Sequence, residues 1–265
     1  MIDLKGMPIK KELMAKLRER IANGESFVSY LIYDPKSFEA KSYIDMIHKV
    51  IVKLELPYLI KEVSSYEECK KVIEEANNDK EAMVFLARPL TFGGEKELIE
   101  MVDPSKDADM LTSKNIGHLV KGDLNYLSGT SSSVRKILDY YDIDVEAKRT
   151  LVVGRSVSVG MPIAQMLIKK NALVSLVHSR IKPEVIREYA RNSELIVLCS
   201  GQRDLVRKED IPSDAVVIDC GFKEDLKGDL GFTPECKAFT PVPGGVGPLT
   251  IVSLLENAFF LKYNH

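Results

Sequence analysis

A strand-like run, Thr150-Leu-Val-Val153, leads into Gly154-Arg155-Ser156-Val157-Ser158-Val159-Gly160-Met161-Pro162 and then into an apolar helical stretch. A glycine-bearing turn between a strand and a helix aims backbone N–H groups and the positive end of the helix dipole at one point, an arrangement suited to phosphate. Pro162 suits the first helical turn, where its missing N–H costs nothing. Five residues separate Gly154 from Gly160, so the strict G-x-G-x-x-G spacing is absent. Taken alone, the loop fits a plain turn equally well. The next strand ends in His178-Ser179-Arg180 rather than in the acidic residue that usually holds the ribose hydroxyls of NAD. Arg155, Ser179 and Arg180 together offer positive charge and hydroxyl donors for a 2′-phosphate, which favours NADP as the cofactor. Solvated surface charges are the alternative reading of the two arginines.

Other segments also differ from ordinary scaffold. Asp103-Pro-Ser-Lys-Asp107-Ala-Asp109 puts three carboxylates in one short loop. Lys121-Gly-Asp-Leu124 leads into Ser128-Gly-Thr-Ser-Ser-Ser133, read as a loop ending in a helix N-cap, and Val217-Ile-Asp-Cys-Gly221 ends a strand in Asp and Gly. In Thr240-Pro-Val-Pro-Gly-Gly-Val-Gly-Pro-Leu-Thr250, three prolines and three glycines fix one backbone path and let a ligand come close. That path makes Pro243, Gly244 and Gly245 candidates for substrate contact. A rigid turn without a ligand is the competing reading.

The elements that must carry these groups follow from hydrophobic pattern. Apolar strand-like runs at 27–33, 57–63, 82–86, 150–153, 173–177, 195–198 and 215–218 alternate with helical stretches at 10–21, 43–54, 66–76, 131–141, 162–169, 183–192 and 249–263. Alternation of this kind predicts an α/β protein with a largely parallel sheet covered on both faces. Connections are long before about residue 125 and tight over 148–222, which suggests two domains. The 265 residues carry 37 Lys+Arg against 39 Asp+Glu, so the formal net charge of -2 argues against a nucleic-acid partner. No apolar run approaches a membrane span or a secretory signal, which predicts a cytoplasmic chain with no membrane partner. Cys69, Cys199, Cys220 and Cys236 are scattered without metal-ligand spacing, so reduced thiols, no disulfide framework and no metal are expected.

Together these motifs resemble the bifunctional methylenetetrahydrofolate dehydrogenase/methenyltetrahydrofolate cyclohydrolase family over nearly the whole chain. The family's PVPGGVGPMT signature stands here at 241–250 with Leu249 in place of Met, and its VVGRSxxVGxP loop matches 152–162. Its KDVDG loop matches Lys106-Asp-Ala-Asp109-Met110, and its VIDxG strand matches 217–221. The resemblance implies oxidation of methylenetetrahydrofolate by a nicotinamide cofactor, hydrolysis of the methenyl product to 10-formyltetrahydrofolate, a place in one-carbon metabolism, and a homodimer. It also implies a Rossmann-type NADP-binding domain at 128–247 and an α/β catalytic, folate-binding domain built from both chain ends, 1–127 and 248–265. By motif, Asp109 anchors the pterin. Gly154, Arg155, Ser156 and Ser179 contact the cofactor phosphate and ribose, Phe222 meets the nicotinamide end, and Thr250 lies beside it.

The family's catalytic lysine sits in a helical Ser-x-x-Tyr-x-x-x-Lys, with tyrosine and lysine one turn apart. Here Ser42-Tyr-Ile-Asp45 looks like a capping box, and counting seven on gives Lys49. Asp45 then takes the tyrosine's place, with Tyr43 nearby as a further catalytic candidate. The alternative anchor, Ser37, puts Ile44 at the lysine's place and leaves Lys41 or Lys49 to serve; a surface lysine paired with Asp45 is also compatible with Lys49. A second departure is Leu86-Ala87-Arg88-Pro89-Leu90, where the family has V-Q-L-P-L-P and its glutamine hydrogen-bonds the lysine.

Overall fold

Continuous Val, Ile and Leu runs become strands, and amphipathic stretches between them become helices, in the computed structural model of the chain, which describes residues 1–221 and 227–264. Phe222 lies outside the described residues. In chain order the elements are β1 (Ile2–Asp3), α1 (Gly6–Ala22), β2 (Val28–Tyr33), α2 (Phe38–Lys53), β3 (Tyr58–Glu62), α3 (Tyr66–Asn78), β4 (Ala82–Leu86), α4 (Glu95–Met101) and α5 (Ser113–Val120). The second half gives α6 (Gly129–Tyr140), β5 (Arg149–Val153), α7 (Gly160–Lys169), β6 (Leu173–Val177), α8 (Pro183–Arg191), β7 (Leu195–Leu198), β8 (Val216–Asp219), β9 (Ala238–Phe239) and α9 (Gly247–Tyr263).

The chain divides into two units, Met1–Glu12 with Leu119–Ser253 and Leu13–His118 with Leu254–His265, the divisions falling inside α1, α5 and α9. Boundaries drawn by compactness differ at 1–12, 119–127 and 248–253 from those expected by function.

The first unit holds a parallel sheet in the order β1-β9-β8-β7-β5-β6. From β5 the chain crosses to β6 on one side and then to β7 on the other, so the strand order reverses at β5, the kind of place where open α/β sheets bind ligands beyond the strand C-termini. β7 and β8 are buried at every residue, as their unbroken apolar sequences require, whereas the edge strand β6 is only half-buried. Leu151, Val153, Ile196, Leu198 and Val217 pack with Ile186 and Ala190 of α8.

The second unit holds a parallel sheet in the order β3-β2-β4. Tyr30, Ile32, Val84 and Leu86 pack there with Cys69, Ile73 and Ala76 of α3. α2 buries Ala40, Ile44, Ile47, Val50 and Ile51, a stripe of helical period. The helix begins five residues earlier than its sequence suggests, because Ser37 is the cap, its Oγ accepting the N–H of Ala40 at 3.1 Å. Ser42, read as a capping residue, lies inside the helix. Ser128 precedes α6 without a side-chain bond to the helix N–H groups; its Oγ meets the Ser131 hydroxyl and donates to the Ser158 carbonyl instead. All four cysteines are free, and burial pushes each thiol up, Cys69 and Cys199 to about 12.

Candidate active site

Backbone donors sort the three carboxylates of the 103–109 loop. Asp103 accepts from the N–H and hydroxyl of Ser105 and closes a local turn. Asp107 is buried, and its Oδ2 accepts the N–H groups of Leu111 and Thr112, both at 2.7 Å, and the side-chain amide of Asn115 at 3.1 Å. These bonds pin the loop to the start of α5. Between them the chain runs beside β4, with the Val84 N–H donating to the Lys106 carbonyl at 2.8 Å and the Ala108 N–H to the Val84 carbonyl at 3.3 Å. The Lys106 ammonium donates to the carbonyls of Ala76, Asn77 and Asp79 at the end of α3, so this cation is part of the scaffold.

Asp109 is left with an open oxygen. Its Oδ1 accepts the Tyr43 hydroxyl at 3.1 Å, and its Oδ2 is buried without a hydrogen-bond partner. Burial pushes the Asp109 carboxyl up to about 6, the positive charge of Arg88 opposes that rise, Asp107 adds to it, and the Tyr43 bond works against it. The Tyr43 hydroxyl is raised well above its ordinary value, first by burial and then by the Asp109 charge, so it stays protonated and donates. A buried carboxylate with one oxygen engaged and one free is built for a ligand bearing adjacent N–H donors.

The structure does not bring Lys49 to this pair. Lys49 is exposed and follows Tyr43 by six residues, about 240° around α2 at 3.6 residues per turn. Its selection rested on counting on from Ser42 and back from the strand at 57–58; with Ser37 as the cap the first of these counts has no structural anchor. The residue one turn after Tyr43 is Ile47, fully buried. Lys41 is exposed, its ammonium 5.7 Å above the Tyr33 ring, and Asp45 is exposed as well. Ala87, at the family's glutamine position, is buried, its N–H bonded to the Ile32 carbonyl at 2.9 Å. Because Lys49 faces solvent, Lys49→Ala is expected to leave turnover within about twofold of wild type, measured by steady-state assay with saturating cofactor and substrate.

In the first unit, β5 is followed by Gly154, whose φ is +132° and whose N–H donates to the Val177 carbonyl at 2.8 Å. A Cβ on Gly154 would come 2.5 Å from the Cys199 carbonyl oxygen, and one on Gly160 would come 2.0 Å from the Gly154 carbonyl oxygen. Both glycines are therefore required by close backbone approach. The Ser156 hydroxyl accepts the N–H groups of Val159 and Gly160 at 3.2 and 3.4 Å, shaping the turn from within. Val153 pairs with Val177, so Arg155 and Ser179 lie two residues beyond the same rung of adjacent strands. Arg155, Ser156, Ser179 and Arg180 are all exposed. Exposed cations and hydroxyls ahead of the α7 N-terminus, above a cradle that only glycine fits, suit a phosphate-bearing dinucleotide.

The 240–250 segment belongs to the same unit. The Gly245 N–H donates to the Pro241 carbonyl at 2.7 Å, and the Gly6 N–H to the Gly244 carbonyl at 2.9 Å. A Cβ on Gly245 would sit 2.6 Å from the Thr240 Cβ, so this glycine too is fixed by packing. The Thr240 hydroxyl accepts the Asp219 N–H at 2.8 Å, while the Asp219 carboxylate accepts the N–H groups of Gly221, Asp229 and Leu230. Pro243 is exposed, Gly244 and Thr250 are half-buried, and Gly245 is buried.

A family model described as the tetrahydrofolate dehydrogenase/cyclohydrolase, NAD(P)-binding domain, matches residues 128–264. A bifunctional protein FolD of Staphylococcus carnosus is 34% identical over 251 residues, which is 91% of this chain and 84% of that protein. The chain belongs to the tetrahydrofolate dehydrogenase/cyclohydrolase family. A second member, bifunctional protein FolD 2 of Lactobacillus johnsonii, is 38% identical over 172 residues, covering 63% of this chain and 60% of that relative. Among solved structures, the Trypanosoma brucei methylenetetrahydrofolate dehydrogenase-cyclohydrolase, complexed with NADP and an inhibitor, superposes with a TM-score of 0.92 at 26% identity, over 100% of this chain and 98% of that one. The two-domain α/β architecture of the family is thus the architecture of this chain.

Arg88, which follows β4, was not singled out from the sequence as a site residue. The available signal was a charge standing where the family's tetrahydrofolate dehydrogenase/cyclohydrolase segment carries leucine.

Proposed function

We propose that this chain oxidises 5,10-methylenetetrahydrofolate to 5,10-methenyltetrahydrofolate with NADP and then adds water to give 10-formyltetrahydrofolate and a proton. The observation that carries this reading is the buried, open Oδ2 of Asp109 beside Tyr43, in a chain of this family. Above about pH 6 the Asp109 carboxylate is charged and accepts the paired N–H groups of the pterin edge, with Tyr43 holding its other oxygen. NADP supplies the hydride acceptor when bound. On the protein's side, Gly154 and Gly160 admit the dinucleotide to the backbone, and Arg155, Ser156, Ser179 and Arg180 take its phosphate and ribose groups. Thr250 and the 243–245 backbone complete the ligand-facing set. Expulsion of hydride by the folate nitrogen lone pair needs alignment more than acid-base help, so residues that position the rings carry that step. The functional division is a folate-binding domain, 1–127 with 248–265, and an NADP-binding domain, 128–247. Free thiols support a cytoplasmic enzyme, and the family resemblance supports a homodimer.

Two observations favour a second reading, in which hydride transfer is retained and hydrolysis is slow: Lys49 is exposed and Ala87 offers no side-chain hydrogen bond. Purified protein given methylenetetrahydrofolate and NADP is expected to produce reduced cofactor, and methenyltetrahydrofolate added alone is expected to decay faster than in buffer. Reduction without faster decay selects the second reading. Absence of reduction with both NADP and NAD overturns both.

A further inference from the structure

We infer that Cys199 and Cys220 form a dithiol site at the C-terminal end of the six-stranded sheet, which takes a thiophilic centre carrying two exchangeable oxygens, a trivalent arsenical, across both sulfurs. The placement comes from backbone pairing. Leu198 of β7 is in register with Asp219 of β8, and the next residue on each strand is a cysteine. The Cys220 N–H donates to the Leu198 carbonyl at 2.8 Å and the Cys199 N–H to the Val153 carbonyl at 2.9 Å, so the ladder continues into both residues. Neighbouring strands lie about 4.8 Å apart. That separation falls inside the roughly 4.4–6.8 Å between Cα atoms over which two sulfurs can be joined.

Side-chain direction follows from the same register. Ile196 and Leu198 of β7 and Val217 of β8 pack with Ile186 and Ala190 of α8, so the residues after Leu198 and Asp219 both point to the other face of the sheet. The two thiols therefore share one face, one rung and one end of the sheet. The Cys199 thiol donates to the Gly154 carbonyl at 4.0 Å, and a Cβ on Gly154 would come 2.8 Å from the Cys199 Sγ, so the site adjoins the loop that follows β5. Both residues are half-buried, whereas Cys69 and Cys236 are buried in the two cores. Neither the proposed hydride transfer nor the hydrolysis uses a thiol.

The surroundings of the sulfurs select the ligand class. Among the described residues, no group of three or more His, Cys, Asp and Glu side chains could hold a metal ion. The Asp219 carboxylate, on the opposite face, is committed to the N–H groups of Gly221, Asp229 and Leu230. A cation that requires four protein ligands, such as structural zinc, is therefore poorly served, and a centre that requires two sulfurs is well served. Burial pushes Cys199 up to about 12 and Cys220 well above its ordinary value, so both are protonated at neutral pH and slow to attack a disulfide or an alkylating reagent. Hydroxyl groups on arsenic(III) take the thiol protons themselves. In a hydrated arsenoxide two As–O bonds break, two As–S bonds form and two waters leave, with no change of oxidation state.

The experiment uses the full chain and phenylarsine oxide. Wild type is expected to take up a single arsenical, read by native mass spectrometry, and to release it to excess 2,3-dimercaptopropanol. Digestion of the wild-type adduct is expected to yield peptides in which arsenic joins Cys199 to Cys220. Cys199→Ala, Cys220→Ala and the corresponding serine variants, each checked for unchanged thermal unfolding, are expected to bind about a hundredfold more weakly, because a single sulfur loses the chelate. Cys69→Ala and Cys236→Ala are expected to bind like wild type. The adduct is also expected to weaken NADP binding about tenfold in isothermal titration, because it stands against Gly154; this readout rests on the cofactor loop proposed above. Absence of uptake, arsenic mapped to other cysteines, or folded Cys199 and Cys220 variants that bind like wild type overturn the site. An adduct that leaves NADP affinity unchanged overturns its placement beside the loop. If wild type binds no NADP, the proposed function falls, and the arsenical titration still decides the dithiol.

Discussion

Asp109→Asn is expected to make the protein more stable near neutral pH and to remove most of its turnover. Amide and carboxylate have the same shape, and the amide oxygen can still accept the Tyr43 hydroxyl, so the change isolates the charge. The folded-state value of about 6 lies above the ordinary carboxylate value near 3.9. Between those two values the folded chain binds more protons than the unfolded one, so the Asp109 carboxyl makes wild type lose stability as pH rises. The loss is absent below about pH 4, complete above about pH 6.5, and on the order of 2 kcal/mol. Urea unfolding of both proteins across that range is expected to give parallel values at the acid end and a more stable variant at neutral pH. In the same variant kcat/KM for methylenetetrahydrofolate is expected to fall about 100- to 1000-fold, because a charge-assisted pair of hydrogen bonds is lost and a donor is left facing the ligand. Equal stability at pH 7 contradicts the buried-charge account, and retained turnover contradicts the ligand role.

Gly160→Ala carries the second large effect. The new methyl group meets a backbone carbonyl oxygen at 2.0 Å, and neither atom belongs to a flexible side chain that can swing away. The turn between β5 and α7 has to open, at a cost of about 1–3 kcal/mol in stability. Displacing a phosphate-binding loop by about 1 Å is expected to reduce kcat/KM for NADP about a hundredfold. Gly117→Ala is the matched control, since nothing lies within 4 Å of a Cβ there and the residue sits inside α5. That substitution is expected to stabilise by about 0.5 kcal/mol or to be neutral. Isothermal titration with NADP and thermal unfolding of both variants check the pair of expectations. Unaltered NADP binding by a folded Gly160→Ala protein contradicts the account of the loop.

The strands at 82–86 and 195–198 could be read from sequence to the residue, because parallel strands buried on both faces leave unbroken apolar runs that end where polar loops begin. The two-residue strands β1 and β9 left no pattern to read, since two residues have no periodicity and pair only through the fold. The start of α2 misled for a different reason. Ser37 and Ser42 both stand before helical sequence, and Ser42 has an acidic residue three places on, so local rules favour Ser42. Burial decides otherwise: Ala40, Ile44 and Ile47 form one stripe only when the helix has already begun at Phe38. The lysine count inherited that error. In the acidic loop, residue types alone placed three carboxylates together and only the family motif singled out Asp109, because the donors that claim Asp107 are the backbone N–H groups of Leu111 and Thr112, whose direction is set by the turn. The tight turn after β5 was readable from its glycines, whose spacing reflects close approach between Gly154 and Gly160, but the glycines alone did not tell a dinucleotide loop from a plain turn.

Transfer of a labelled hydride tests the central claim most directly. Methylenetetrahydrofolate deuterated at its one-carbon unit is mixed with the protein and NADP, and the recovered cofactor is weighed by mass spectrometry. Reduced cofactor carrying a single deuterium is the predicted result, with its yield lost in Asp109→Asn at equal protein. Recovery of only oxidised cofactor, or of reduced cofactor without the label, contradicts it.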